Sequence, residues 1–257
     1  MNTLPIFLGL ATGVHASCYG AYKDSPYESF LVRRVVRELG IAISIGIVFS
    51  LLGLGLSEPY FVLFLVIFAS SRIVTEIYKL FFRVEDQSLY LIPTQIHFFR
   101  KVVRSKVVRA FLGGACVLGL YGLFILTDSL LISAPLKGLI TGSLIGLATA
   151  LGGAYKDGLF EGFEWTKFFR SPLLGALGGL LLSAHTSQTA FILLGAIGVE
   201  RMVVELYKGF LQKGYCPGKF KSKEPRCSAW LEKRKGFVAP YLATWVVFVA
   251  LVWAQVG

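Results

Sequence analysis

GAYKDSPYESFLVRRVVR, residues 20–37, returns 133 positions later as GAYKDGLFEGFEWTKFFR, residues 153–170. Eight of the 18 positions agree, among them Glu28 with Glu161, Phe30 with Phe163 and Arg37 with Arg170. Upstream, Gly9 and Gly13 align with Gly142 and Gly146 at the same offset. A second block follows in both halves, RIVTEIYKLF at 72–81 and RMVVELYKGF at 201–210, with six of ten positions matching. Self-similarity that keeps its order over such a span is the mark of a duplicated structural unit.

The unit is made of apolar helices. Of the 257 residues, 55% are hydrophobic and 16% charged, with a mean hydropathy of +0.67. A soluble domain carries about 25% charged residues and could not hide this much apolar surface. A bilayer can, at about 20 apolar residues per crossing. Eight stretches qualify: 3–22, 38–56, 60–80, 109–127, 136–155, 168–184, 188–210 and 236–256. The expectation is an all-α integral membrane protein with eight transmembrane helices in two four-helix repeats, 1–130 and 131–257. Four crossings per repeat is an even number, so the copies are parallel and related by an axis along the membrane normal.

Charge placement orients the chain. Of its 26 Lys and Arg residues, 25 fall in 23–37, 72–109, 156–170 and 201–235, leaving only Lys137 for the other side. The positive-inside rule puts the basic loops in the cytoplasm and both termini outside. The net charge of +11 therefore reads as topology plus contact with anionic lipid, not as a nucleic-acid surface. The run after Pro93, TQIHFFRKVVRSKVVR, places Ile96, Phe99, Val103 and Val107 at helical spacing, which predicts an amphipathic helix on the cytoplasmic leaflet. A signal peptide over 1–22 is not expected. No basic residue precedes its apolar run, and residues 136–157 repeat the segment mid-chain. A lipoprotein cleavage site before Cys18 is also disfavoured, with His15 where Leu is wanted.

Each repeat carries two charged motifs. The first, KD-x3-E, reads as a loop at the cytoplasmic end of the first helix: Lys23, Asp24 and Glu28, then Lys156, Asp157 and Glu161. The second, R-x3-E-x-Y-K, closes the third helix: Arg72, Glu76 and Lys79, then Arg201, Glu205 and Lys208, with Glu200 added. Counted from Tyr60, Arg72 lies ~18 Å into a core ~30 Å thick. The spacing i, i+4, i+7 puts Arg, Glu and Lys on one helical face. Charges at that depth are expensive and must be paired or wet, which makes these twelve residues the candidate substrate-binding cluster. One reading is a charged cavity open to the cytoplasm; the other is a network that staples helix ends.

Other chemistry is thin. No phosphate-binding loop, nucleophile elbow or zinc-protease motif occurs, and His15, His97 and His185 are scattered. Cys216 and Cys227 share a cytoplasmic loop without His, so free thiols are expected and neither metal nor cofactor is. The small-residue patterns Gly9-x3-Gly13, Gly142-x3-Gly146 and Gly175-x3-Gly179 point to close helix approach. Retention of both motif copies favours a pseudo-symmetric transporter or channel for a small polar or anionic solute. The alternatives are a membrane-embedded enzyme or lipid-handling protein, acting on phospholipid or isoprenoid-phosphate headgroups at the cytoplasmic face, and a structural scaffold. The lipid bilayer is the expected partner, and the sequence leaves room for a homo-oligomer.

Overall fold

The computed structural model describes residues 2–88, 90–212, 216–222 and 224–256. The long helices are α1 (Leu4–Glu28), α2 (Val32–Leu52), α3 (Tyr60–Ile77), α4 (Lys106–Asp128), α5 (Ala134–Glu161), α6 (Trp165–Ser183), α7 (Thr189–Leu206) and α9 (Val238–Val256). A short α8 (Ala229–Lys233) and a 3-10 turn (Arg234–Phe237) lead into α9. Among the described residues, six helical segments are long and apolar enough to cross a membrane: Leu4–Glu28, Val32–Leu52, Tyr60–Phe82, Lys106–Asp128, Ala134–Glu161 and Ala229–Gln255. The protein is an all-α, multi-pass membrane protein. Its outer faces agree, since Phe111 on α4 and Trp253 on α9 are 75% and 77% exposed. In water such surface would aggregate; hydrocarbon is its natural solvent.

Two compact units form. The first holds Met1–Arg72, Arg201–Pro217 and Ser222–Gly257; the second holds Ile73–Glu200 and Gly218–Lys221. In the first, α1 packs on α2 through small residues. A methyl group on Gly9 would stand 2.6 Å from the Ala42 carbonyl oxygen, and one on Gly46 would overlap that of Pro5. In the second, α5 packs on α6 at the positions 133 residues on: Gly142 against Gly175, Gly138 against Gly179, Gly146 against Ser171. Small side chains let the backbones touch, the usual source of helix association in lipid.

The ends of these helices correspond too. Both α1 and α5 open with Pro in the first turn, where the missing N–H is no loss. They stop at Ser29 (φ 64°, ψ 173°) and Gly162 (φ 84°, ψ 169°), positions again 133 apart. Glycine enters that region freely; Ser29 holds it under strain. Both α3 and α7 end in a π turn, Tyr78–Phe82 and Tyr207–Leu211, each starting at the Tyr of the second motif. In each, the next backbone N–H donates to that Tyr carbonyl at 2.8 Å.

Two local expectations are corrected. The KD-x3-E segments are helical, not loops: Lys23, Asp24 and Glu28 complete α1, and Lys156, Asp157 and Glu161 complete α5. Loss of apolarity marks where a helix leaves hydrocarbon, not where it ends. The amphipathic helix expected after Pro93 is instead a hairpin, His97–Phe98 paired antiparallel with Lys101–Val102. Its two-residue turn, Phe99 and Arg100, has positive φ at both positions (45° and 70°), as a tight hairpin requires. Contacts with the end of α5 hold it. The Arg100 guanidinium donates from Nε to the Leu159 carbonyl at 3.0 Å and covers the Phe160 ring, and the Tyr155 hydroxyl donates to the His97 carbonyl at 2.7 Å. Leu159 is among the last carbonyls of α5, which lack a partner within the helix. Part of the basic loop 212–235 lies outside the described residues.

Candidate functional site

The densest buried charge lies in the first unit. Arg72, on α3, has one guanidinium nitrogen 3.5 Å from Glu38 Oε2 of α2 and another 3.4 Å from Glu205 Oε1 of α7. Glu38 also accepts from Arg37 at 2.9 Å. Glu205 turns its other oxygen towards His15 of α1, with Oε2 3.9 Å from Nε2. His15 is fully buried, and its Nδ1 lies 2.8 Å from the Thr244 hydroxyl oxygen of α9. Four aromatic or polar side chains frame the imidazole: Phe68 edge-on at 5.1 Å, Tyr241 at 4.5 Å, Trp245 at 6.1 Å, and Thr244. Two arginines and two carboxylates balance, so the network can sit in low dielectric without a net charge.

Other charged residues of the motifs are paired as well. Lys23 is 3.8 Å from Asp24 and lies over the Tyr19 ring, while Arg34 bonds Glu28. Arg201 and Lys208 are half-buried in the same unit. In the second unit Lys79 pairs with Glu76 at 3.3 Å, and Lys167 bridges Asp157 and Glu161 at 3.6 and 3.2 Å. Lys156 is half-buried. The Arg34–Glu28 and Lys167–Glu161 pairs stand 133 residues apart. Of the twelve expected residues, Arg72 and Glu205 meet directly in this buried network, beside neighbours that the motifs do not contain.

Glu38, His15 and Thr244 are those neighbours. Glu38 lies between the two motifs, and its counterpart at the first offset is Ser171. Ser171 of α6 donates to Glu200 of α7 at 2.7 Å, both buried, and Glu200 corresponds at the second offset of 129 to Ser71. At these offsets the acid and the hydroxyl fall in opposite order. That exchange is visible once both offsets are applied together, and is the signal that would have found Glu38.

All four cysteines are free thiols, and among the described residues no group of three His, Cys, Asp or Glu side chains is placed to hold a metal ion. No protein-family model, curated protein or solved structure matches the chain.

Proposed function

We infer that this protein is a membrane carrier for a small anionic or polar solute, with Arg72 as its anion contact. The observation that carries the reading is the place of Arg72, a buried guanidinium within reach of carboxylates on two other helices, Glu38 of α2 at 3.5 Å and Glu205 of α7 at 3.4 Å. A planar guanidinium in low dielectric is a strong contact for an anion.

The architecture in this reading has eight crossings, with α6 and α7 spanning beside the six more apolar segments. It has two parallel copies, 1–130 and 131–257, basic loops in the cytoplasm in contact with anionic lipid, and both termini outside. The matched helix contacts, the matched C-terminal residues Ser29 and Gly162, and the paired π turns support the duplication. Labelling of Cys216 from the cytoplasmic side alone is the expected result for this orientation, and labelling from outside would overturn it.

The test of function is uptake into proteoliposomes. The wild-type chain is expected to pass at least one of a panel of small carboxylates, phosphate, sulfate and halides. Arg72→Lys should lower that flux about tenfold by removing the planar fork, and Arg72→Gln should abolish it. A folded wild-type chain that moves none of them but alters a lipid-phosphate headgroup would establish the enzymatic reading instead.

A further inference from the structure

The second unit buries an arginine on different terms from its neighbour. Arg109 lies in the first turn of α4 and is 3% exposed. One turn on, Gly113 meets the Phe81 ring, where an added methyl group would stand 3.2 Å from the nearest ring carbon. That close approach sets α4 against the π turn that ends α3. Arg109 Nη1 donates to the Arg83 carbonyl at 3.1 Å, and the Gln95 amide donates to the same oxygen at 2.6 Å. Nε is buried and makes no hydrogen bond among the described residues. All 15 acidic residues are described, and none comes within 4 Å of this guanidinium. Arg83 shows the contrast: its Nη2 lies 2.7 Å from Glu85 and donates to Thr94 at 2.7 Å.

A cation buried without a carboxylate is costly. The Arg83 carbonyl belongs to a helix end, which carries about half a negative charge, so it offsets Arg109 only in part. The geometry of the fork matters as well. With Nη1 spent on the carbonyl, the edge that carries the parallel N–H groups of Nε and Nη2 is the one left to receive a two-oxygen ligand. Nη2, unlike Nε, is not sealed from the surface, which gives an anion its way in.

The setting indicates which anion. α4 has 23 residues, close to the thickness of a bilayer core, so its first turn lies at headgroup level. Val107 and Phe111 beside Arg109 are exposed, as a lipid-facing stretch should be. Lys101, Arg104 and Lys106 are exposed too and form no ion pair among the described residues. Lys106, three residues before Arg109, shares its side of the helix. Exposed cations gather anions by their field, whereas a planar fork fixes one of matching shape.

We propose that Arg109 binds a phosphate group at the membrane-surface end of α4, supplied by a phospholipid headgroup or by soluble phosphate, with Lys106 at the rim. The site involves neither Arg72 nor transport. It deepens the expected contact with anionic lipid by naming the residue that would hold it.

The experiment is thermal unfolding of the full chain in maltoside detergent, titrated separately with phosphatidylglycerol, with diacylglycerol, which lacks the phosphate, and with inorganic phosphate. A ligand that binds the folded state raises the unfolding temperature with its concentration. Phosphatidylglycerol is expected to raise it for wild type, and diacylglycerol is not. A response to the lipid alone assigns the phosphate to a headgroup; a response to inorganic phosphate as well assigns the site to phosphate from either source. Arg109→Gln should weaken the apparent affinity at least about tenfold. If that variant does not fold, Arg109→Lys carries the test, since it keeps the charge but loses the fork and should weaken binding by a similar factor. Lys106→Gln should weaken it only about twofold. The proposal is overturned if neither phosphate ligand stabilises wild type, if diacylglycerol does so equally, or if the folded Arg109 variant responds like wild type. A loss in Lys106→Gln as large as that at Arg109 would place binding on the surface cations and overturn it too. Uptake that fails while this response holds leaves the phosphate site standing without the carrier, and uptake that succeeds without this response leaves the carrier without the site.

Discussion

The helix pairs α1/α2 and α5/α6 meet at corresponding positions, yet they are built for different tasks. In α5/α6 glycine faces glycine at Gly142–Gly175 and Gly138–Gly179, and near the contact Ser171 donates to Glu200. In α1/α2 the matching contact has Ala42 opposite Gly9, and the surroundings carry His15, Glu38 and Arg72. One pair is a close-packed seam; the other supplies walls of a charged site. Backbone geometry can be preserved by a few small residues while the side chains around it change charge, because close approach depends on volume alone.

The difference predicts where substitutions hurt. The largest effect is expected for Arg72→Gln, which takes a buried cation from between Glu38 and Glu205 and should destabilise by about 3–5 kcal/mol. Thermal unfolding in detergent, followed by size exclusion, measures it. Adding Glu205→Gln should recover part of the loss, since one buried charge then disappears. Equal stability of Arg72→Gln and wild type would mean the network is wet rather than buried.

Gly142→Ala comes next. Its methyl group would overlap the Gly175 backbone, and overpacking of that kind costs about 1–3 kcal/mol. Gly153→Ala, where nothing lies within 4 Å of the added atom, should be neutral or slightly stabilising, since alanine is the better helix former. The same loss at both would show that close packing at Gly142 is not what sets the cost.

Ser171→Ala removes the donor to Glu200 and should cost about 1–2 kcal/mol, less than Arg72→Gln because the group lost is an uncharged hydroxyl. The exchange itself can be tested in the first half. Glu38→Ser alone should destabilise, and Glu38→Ser with Ser71→Glu should restore folded yield by returning a carboxylate to Arg72 from α3. Failure of that rescue would show that the two halves do not tolerate each other's arrangement.

The smallest effect has the opposite sign. Ser29 adopts a backbone conformation that its counterpart Gly162 reaches without strain. Ser29→Gly is expected to stabilise by about 1 kcal/mol, the lower end of the strain such residues store. No gain would mean that Ser29 recovers its strain in contacts glycine cannot make.

Much of the architecture was legible without coordinates. Apolar runs near the length of a bilayer core, the two spaced motifs and the uneven distribution of Lys and Arg are local or periodic features, and periodicity is what a linear reading detects. The same reading misplaced the segment after Pro93. Its apolar spacing suits a helix, but the hairpin is chosen by Arg100 reaching the Leu159 carbonyl and by Tyr155 reaching His97, partners some 60 residues away.

The sequence by itself determined that this is a membrane protein of long helices, because hydrocarbon demands continuous apolar runs and internally satisfied backbone. It also determined where charge falls along α3 and α7, since position follows from counting residues along a helix. Which charges meet was decided only by tertiary structure. Arg72 faces Glu76 one turn along its own helix by spacing, yet its placed partners include Glu38, 34 residues back, and Glu205, 133 ahead. His15 reads as a lone imidazole until the fold sets Thr244, 229 residues on, 2.8 Å from its Nδ1 and Glu205 3.9 Å from its Nε2. The directions in which side chains leave a helix are set by sequence, but the neighbour they find depends on which helices pack together, and that is a property of the assembled bundle.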